Sequence, residues 1–333
     1  MNISYMYKIK NIILCLLLPL CVKAQKQDSI SIIIGQAYHY NKFIQVDTTI
    51  RVPLLAKGTI EIPKTMKLIG DFSLSGTENI KHVNIPNNVE VIGVGAFDGC
   101  SKLVEVNLEQ ENNDGTGGLK EISYCAFYKC KRLKNITLPS TLKHIDESAF
   151  YGCSSLKSVF IPASVDTIGY SAFGGCGNIK SIVVDKENKY YDSRDNCNAI
   201  IETKSGLLIA GCKKTIIPQG VTGILHNAFE NIRSLKRVTV PDGIVGICGY
   251  AWRGCTNLKH VELPASIEFV QWGLFDMCKK LKSVSISRNE PPECALFPSD
   301  ILTRATLYVP KGCVEKYRKA EGWMNFGKIT EMK

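Results

Sequence analysis

Apolar and polar residues alternate over short stretches of this chain, and those stretches return at a fixed interval. Between residues 145 and 176, Val159 and Ile161 point one way and Ser158 and Phe160 the other, the period of a half-buried strand. Pro162 has no N–H to give to a ladder, so it ends that strand. Val165 and Ile168 then turn inward. Ala172-Phe173-x-x-Cys176 predicts a tight return, 3₁₀ or short helical, on the opposite side. The same group stands 23 residues earlier as Ala149-Phe150-x-x-Cys153, with Leu156 leading into the strand between them. Apolar residues at fixed phases of such a period define a solenoid, in which each unit buries its face against its neighbours.

Complete copies carry their aromatic at Phe97, Phe127, Phe150, Phe173, Phe229, Trp252 and Phe275, at spacings of 30, 23, 23, 56, 23 and 23. The excess in the first interval falls in the polar, Gly-rich run 109–118, which predicts a surface loop. The interval of 56 hides one irregular repeat over 185–213. At its centre, 198–210 has two apolar runs around Lys204-Ser205-Gly206, which predicts a β-hairpin embedded in the array. Repeats are thus expected over 61–305. Residues 25–60 do not match the unit and are read as an N-terminal cap, with a strand-like run at 30–35. Over 306–333 a last strand, two helical turns at 314–320 and the apolar Trp323 and Phe326 predict a C-terminal cap.

The first 24 residues change the picture of the address. A basic flank at Lys8 and Lys10, an apolar run over 12–22 and a small residue at Ala24 read as a secretory signal peptide cleaved before Gln25. The alternative, a lipoprotein signal using Cys21, has a poor approach in Leu18-Pro19-Leu20. A secreted or cell-surface chain is expected, as a monomer. Cleavage removes three lysines and no acid, taking the formal net charge from +10 to +7, and a mild basic balance at that address gives no argument for nucleic acid.

Cysteine is used unusually. Cys100, Cys130, Cys153, Cys176, Cys255 and Cys278 share one inward phase, and Ile232 takes that phase in another repeat. Copies on neighbouring turns would stand about 5 Å apart, within reach of a disulfide. Buried free thiols packing as small apolar groups are the expected state.

The unit I-P-x-x-V-x-x-I-x-x-x-A-F-x-x-C-x-x-L-K-x-V, together with the segment 191–201 and the ending Tyr308-Val309-Pro310…Tyr317…Gly322-Trp323, resembles the BspA-type leucine-rich repeat of bacterial surface proteins. The resemblance covers roughly 60–333. It implies an α/β leucine-rich-repeat solenoid with one parallel strand per turn, a surface or secreted location and, in some members, adhesion to host matrix proteins or other cells. Ile232 and Leu274 depart from the pattern, and the chain shows no recognisable sorting or anchoring domain.

Candidate chemistry narrows the function further. His39, His82, His144, His226 and His260 form no constellation with a nucleophile, and no G-x-S-x-G, H-E-x-x-H, phosphate loop or C-x-x-C is present. A folded pair such as Cys248 or Cys255 with His226 is the one catalytic alternative. No enzyme activity, cofactor or metal is expected.

Binding has more material. The second outward column of the strands is mostly polar, yet Phe160, Val183 and Ile216 follow one another in it, with Lys214 and Arg237 beside them in the first. They predict an exposed apolar patch that takes a protein partner, unless the hairpin folds over it. One position before the strands stand Lys134, Lys157, Lys180, Lys213, Lys236, Lys259 and Lys282, a basic column that could attract an acidic glycan or protein, or simply keep a strand edge solvated. A display solenoid or a glycan-binding module is the alternative to a protein-binding one.

Overall fold

The structure, a computed structural model, describes residues 29–30, 57–110, 117–294 and 302–332. The expected signal peptide, most of the N-terminal cap and the centre of the 109–118 loop lie outside the described residues.

The chain coils as a parallel-strand solenoid of about eleven turns. Each regular turn contributes two strands rather than the single one predicted. The longer strand is the alternating segment of the sequence: Ser158–Ile161 pairs in parallel with Ser181–Val184, and Arg237–Thr239 with His260–Leu263. The second is a two-residue strand after the proline. Thr167–Ile168 lies on His144–Ile145, which continues through Glu121–Ile122 and Val91–Ile92 to Leu68–Ile69. A β-branched pair such as Thr167-Ile168 suffices here, because only one side chain of each pair has to point inward.

The returns carry i→i+3 hydrogen bonds, as a 3₁₀ turn would, for example Tyr151 N to Ser148 O (3.0 Å) and Cys153 N to Phe150 O (3.1 Å). No helix develops. The N–H groups of Ser148, Phe150 and Gly152 instead donate to Tyr170, Ala172 and Gly174 on the next turn, at 2.8–3.0 Å. This ladder needs left-handed backbone on both sides of the Ala-Phe pair, seen at Ser148 (φ 57°) and Gly152 (φ 74°) and again at Asn227 and Asn231. Glycine and asparagine enter that region at little cost.

Inside, the aromatics stack. Phe97, Phe127, Phe150 and Phe173 are spaced 5.0–5.3 Å apart with nearly parallel rings, and Phe229, Trp252 and Phe275 form a second stack at 6.1–6.2 Å. The six same-phase cysteines are free thiols, and each donates from Sγ to a carbonyl of the preceding turn. Cys153 Sγ, for instance, lies 3.2 Å from Phe127 O. A small side chain that is apolar in bulk yet carries one weak donor suits this phase, which explains the repetition better than packing alone.

The interior is not continuous. Its buried residues form two clusters, one reaching from Ile60 to Cys212 and the other from Cys197 to Ile329. They meet at the irregular repeat. There Ala199–Glu202 runs antiparallel to Leu207–Gly211, and Tyr191–Asp192 adds on its other side. The hairpin joins the short-strand sheet, with Leu207–Leu208 pairing in parallel with Gly223–Ile224. The 207–211 strand runs on to where other turns make their return, with Gly211 N–H on Ala228 O at 2.8 Å. A Cβ at Gly211 would lie 2.1 Å from the Phe229 ring, so only glycine fits.

The returns on either side close over this shortened turn. Ser171 Oγ donates to Asn227 Oδ1 (2.9 Å), and Tyr151 OH donates to Glu230 Oε1 (3.0 Å) across 79 residues of chain. Burial pushes the Glu230 carboxyl above its usual value, against the hydrogen bonds from Tyr151 and Asn227 and the Arg253 guanidinium 3.6 Å away.

At the C-terminal end, Thr306–Val309 extends the long-strand sheet and a helix covers Val314–Lys319. Trp323 and Phe326 are buried, with Trp323 Nε1 donating to Pro292 O at 2.8 Å. A further strand, Lys328–Glu331, pairs in parallel with Thr306–Val309 and closes the sheet. Its Lys-Ile-Thr-Glu sequence gave no signal beyond one buried residue, Ile329.

Candidate binding face

The outward residues of the long strands form the columns read from the period. His82 stands opposite Glu105, Asn84 opposite Asn107, Phe160 opposite Val183, Arg237 opposite His260 and Thr239 opposite Glu262. Most of these residues satisfy one another. Asn107 Nδ2 donates to Asn84 Oδ1 (2.7 Å), and Asn84 Nδ2 to Glu61 Oε1 (2.5 Å). At the other end, Glu262 accepts from both Arg237 Nη1 (2.5 Å) and Thr239 Oγ1 (2.7 Å).

Between these polar ladders lies the apolar interruption. Phe160 is 50% exposed, Val183 45% and Ile216 79%, so the hairpin does not cover them. The structure brings Phe160 and Val183 together as register partners on adjacent strands. Ile216 stands apart from that pair, because the 213–217 segment forms no strand. Its N–H reaches Cys197 O (3.2 Å), and the 193–198 segment lies against the edge of Ser181–Val184, with Val184 N–H donating to Ser193 Oγ at 3.1 Å. The 23-residue period cannot reveal this step, since the hairpin changes which segment occupies the next place in the sheet.

Two grooves open at the step. One of about 480 Å³ is lined by Val183, Tyr191, Arg194 and Asn198. The other, about 360 Å³, lies between Ile216 and Val238 and reaches the edges of Phe229 and Trp252. The wall of the first is stiffened by a pair that sequence reasoning missed. Arg194 donates to Asp192 through Nε (2.8 Å) and Nη2 (2.6 Å). Burial works to raise the Asp192 carboxyl, but hydrogen bonds from Arg194 and Thr203 hold it below its usual value. Of the two cations predicted beside the patch, Arg237 is already paired with Glu262, and Lys214 is exposed.

The other candidates sort as follows. Lys134, Lys157, Lys180, Lys213, Lys236 and Lys282 are exposed and Lys259 half-buried, all at the entrance to the long strands. His82 faces Glu105 (3.4 Å), His144 faces Asp166 (3.1 Å), and His260 Nδ1 lies 2.8 Å from Ser283 Oγ. These are neighbouring-turn contacts on the surface. Burial raises the thiols of Cys248 and Cys255, and Cys255 donates to Phe229 O at 3.2 Å, which is the reverse of what a thiolate nucleophile needs. Among the described residues no group of three or more His, Cys, Asp or Glu could hold a metal ion, and no helix is long and apolar enough to cross a membrane.

Residues 57–118 and 209–292 match the BspA type Leucine rich repeat region in six copies, the family whose unit these repeats resemble. None of the curated proteins matches the chain. Among solved structures, a leucine-rich repeat protein from Eubacterium ventriosum superposes with a TM-score of 0.62 at 18% identity, over 82% of this chain and 72% of that one. A leucine rich cell surface protein from Faecalibacterium prausnitzii gives 0.53 at 23% identity, over 83% and 79%. The pneumococcal vaccine antigen PcpA gives 0.52 at 17% identity, over 92% and 88%. These likenesses establish a shared solenoid fold.

Proposed function

We propose that this chain is a non-catalytic binding protein of the bacterial cell surface or exterior, which docks a protein partner on the outer face of its long-strand sheet. The observation that carries the reading is the Phe160–Val183 pair, half exposed in the middle of a face whose other columns are polar and hydrogen-bonded among themselves. Burying one such side chain in an interface contributes about 1.5–3 kcal/mol, and an aromatic anchor flanked by a polar rim is the usual form of a binding hot spot. The grooves beside Val183 and Ile216 give a partner's side chains somewhere to go. Adhesion to matrix proteins or other cells is the use to which such a face would be put, and it fits the family's place among bacterial surface proteins and the signal peptide read over 1–24.

The test is capture on a panel of purified matrix proteins and glycans, with the mature chain beside a variant carrying Phe160→Ser and Ile216→Ser. Loss of a protein ligand in the variant supports the face. Equal capture by both, or ligands confined to glycans, rejects it.

A further inference from the structure

The step between the two halves has a second consequence on the edge where the lysine column runs. Along regular turns this column is tied by backbone bonds, Lys157 N to Lys134 O (3.0 Å) and Lys180 N to Lys157 O (2.8 Å), and the series resumes with Lys259 N on Lys236 O (2.8 Å). Between Lys180 and Lys213 the chain inserts 33 residues in place of 23. On the return side the gap is closed, because the 176–178 turn packs directly on 231–233. A Cβ on Gly177 would come within 2.0 Å of Asn231 O, so the two turns touch through backbone. On the strand side the 193–198 segment stands between Ser181–Val184 and 213–217, so the lysine column is interrupted there. A cavity of about 550 Å³ results, and Lys157, Lys180, Lys213 and Arg233 line it.

Three properties separate this cavity from a solvated edge. First, no carboxylate lines it, and none of its four cations forms an ion pair among the described residues. Glu230, close by in sequence, is taken by Tyr151, Asn227 and Arg253. Second, its walls are fixed before any ligand arrives. Asn178 Nδ2 donates to Ser154 O (2.6 Å), Asn257 Nδ2 to Arg233 O (2.7 Å), and Ser154 Oγ to Lys131 O (3.3 Å). Third, the cations come from three different turns and both sides of the step, so they converge on one space instead of running along a line. Four like charges around one concavity repel one another and focus a positive potential that an entering anion relieves.

We propose that this cavity is a binding site for a multiply charged tetrahedral oxyanion, a sulfate or phosphate ester carried on a small ligand or on a sugar. Lys157, Lys180 and Lys213 supply point charges, and Arg233 supplies the planar donor fork that matches two oxygens of such a group. The site is separate from the Phe160–Val183 face and does not depend on it.

Calorimetric titration at low and physiological salt, with sucrose octasulfate and inositol hexakisphosphate as the two probes, tests it. The expected result is saturable binding of at least one probe at one site per chain, weakened tenfold or more by Lys180→Ala with Lys213→Ala. The pair Lys259→Ala with Lys282→Ala removes the same charge from the same column outside the cavity and should change affinity less than threefold. Preference for one probe tells which ester the site takes. Circular dichroism of both variants keeps folding out of the comparison. No saturable binding of either probe, or equal loss in the two double variants, overturns the proposal.

Discussion

Replacing Phe150 by leucine isolates what aromatic stacking contributes to this solenoid. The ring is fully buried and lies between Phe127 and Phe173, at 5.3 Å from each with interplanar angles of 5° and 4°. Leucine keeps an apolar side chain in place, so the change removes two ring–ring contacts, each about 0.5–1.5 kcal/mol beyond area burial. A smaller cavity cost adds to that. Phe173 provides the control, because its stack ends at the step and among the described residues its ring neighbour is Phe150 alone. Phe173→Leu carries a similar cavity cost and one lost contact. Phe150→Leu should therefore be the more destabilising of the two by about 0.5–1.5 kcal/mol. Urea unfolding followed by circular dichroism reads the difference as a shift in midpoint at constant slope. A Phe173→Leu protein as unstable as Phe150→Leu, or more so, would refute a stack that stops at Phe173.

Three further outcomes follow from the same geometry. In native protein at pH 8 the ladder thiols should resist a thiol reagent, since burial pushes Cys100, Cys176 and Cys278 up to about 12, and denatured, unreduced protein should titrate as fully reduced. These raised thiols stabilise the fold below their unfolded value near 9, and that contribution is lost as pH rises through the folded values; the urea midpoint should fall between pH 8 and 10, and a constant midpoint would contradict it. Gly177→Ala should cost about 1–3 kcal/mol by forcing a Cβ onto Asn231 O, measurable by the same unfolding series, and a neutral result would mean the two returns do not touch. Glu230→Ala should cost about 3 kcal/mol by removing two hydrogen bonds to a charged acceptor, while Glu230→Gln, which keeps an acceptor for Tyr151 and removes a buried charge, should stay within about 1 kcal/mol of wild type; equal losses would show that the charge itself is required.

The sequence makes the regular turns legible because their physics is local. Val159 and Ile161 alternate, Pro162 stops the strand, and Ala149-Phe150-x-x-Cys153 repeats the phase, so register follows from counting. The hairpin around Lys204-Ser205-Gly206 was also visible, through its two apolar runs. Its destination was not. Whether Leu207–Gly211 joins the long-strand or the short-strand sheet depends on what Gly223–Ile224 and Ala228 offer as partners, a contact between distant segments that no period encodes. For that reason counting along the sequence puts Phe160 and Val183 side by side correctly, whereas it puts Ile216 one place too close. The left-handed positions were half legible. Gly152, Asn227 and Asn231 announce them, but Lys129, Tyr250 and Met277 adopt the same backbone without any such signal.

Docking on the long-strand face is measured most directly by the affinity of the captured protein ligand, by surface plasmon resonance, for wild type, Phe160→Ser and Tyr170→Ser. Tyr170 is 63% exposed on the return side, away from the long strands, and controls for the loss of any large exposed ring. Loss of about 2 kcal/mol of apolar burial corresponds to roughly 30-fold in dissociation constant. Docking on the long-strand face predicts a loss of that order for Phe160→Ser and less than twofold for Tyr170→Ser. An unchanged affinity in Phe160→Ser, or an equal loss in both, would contradict it.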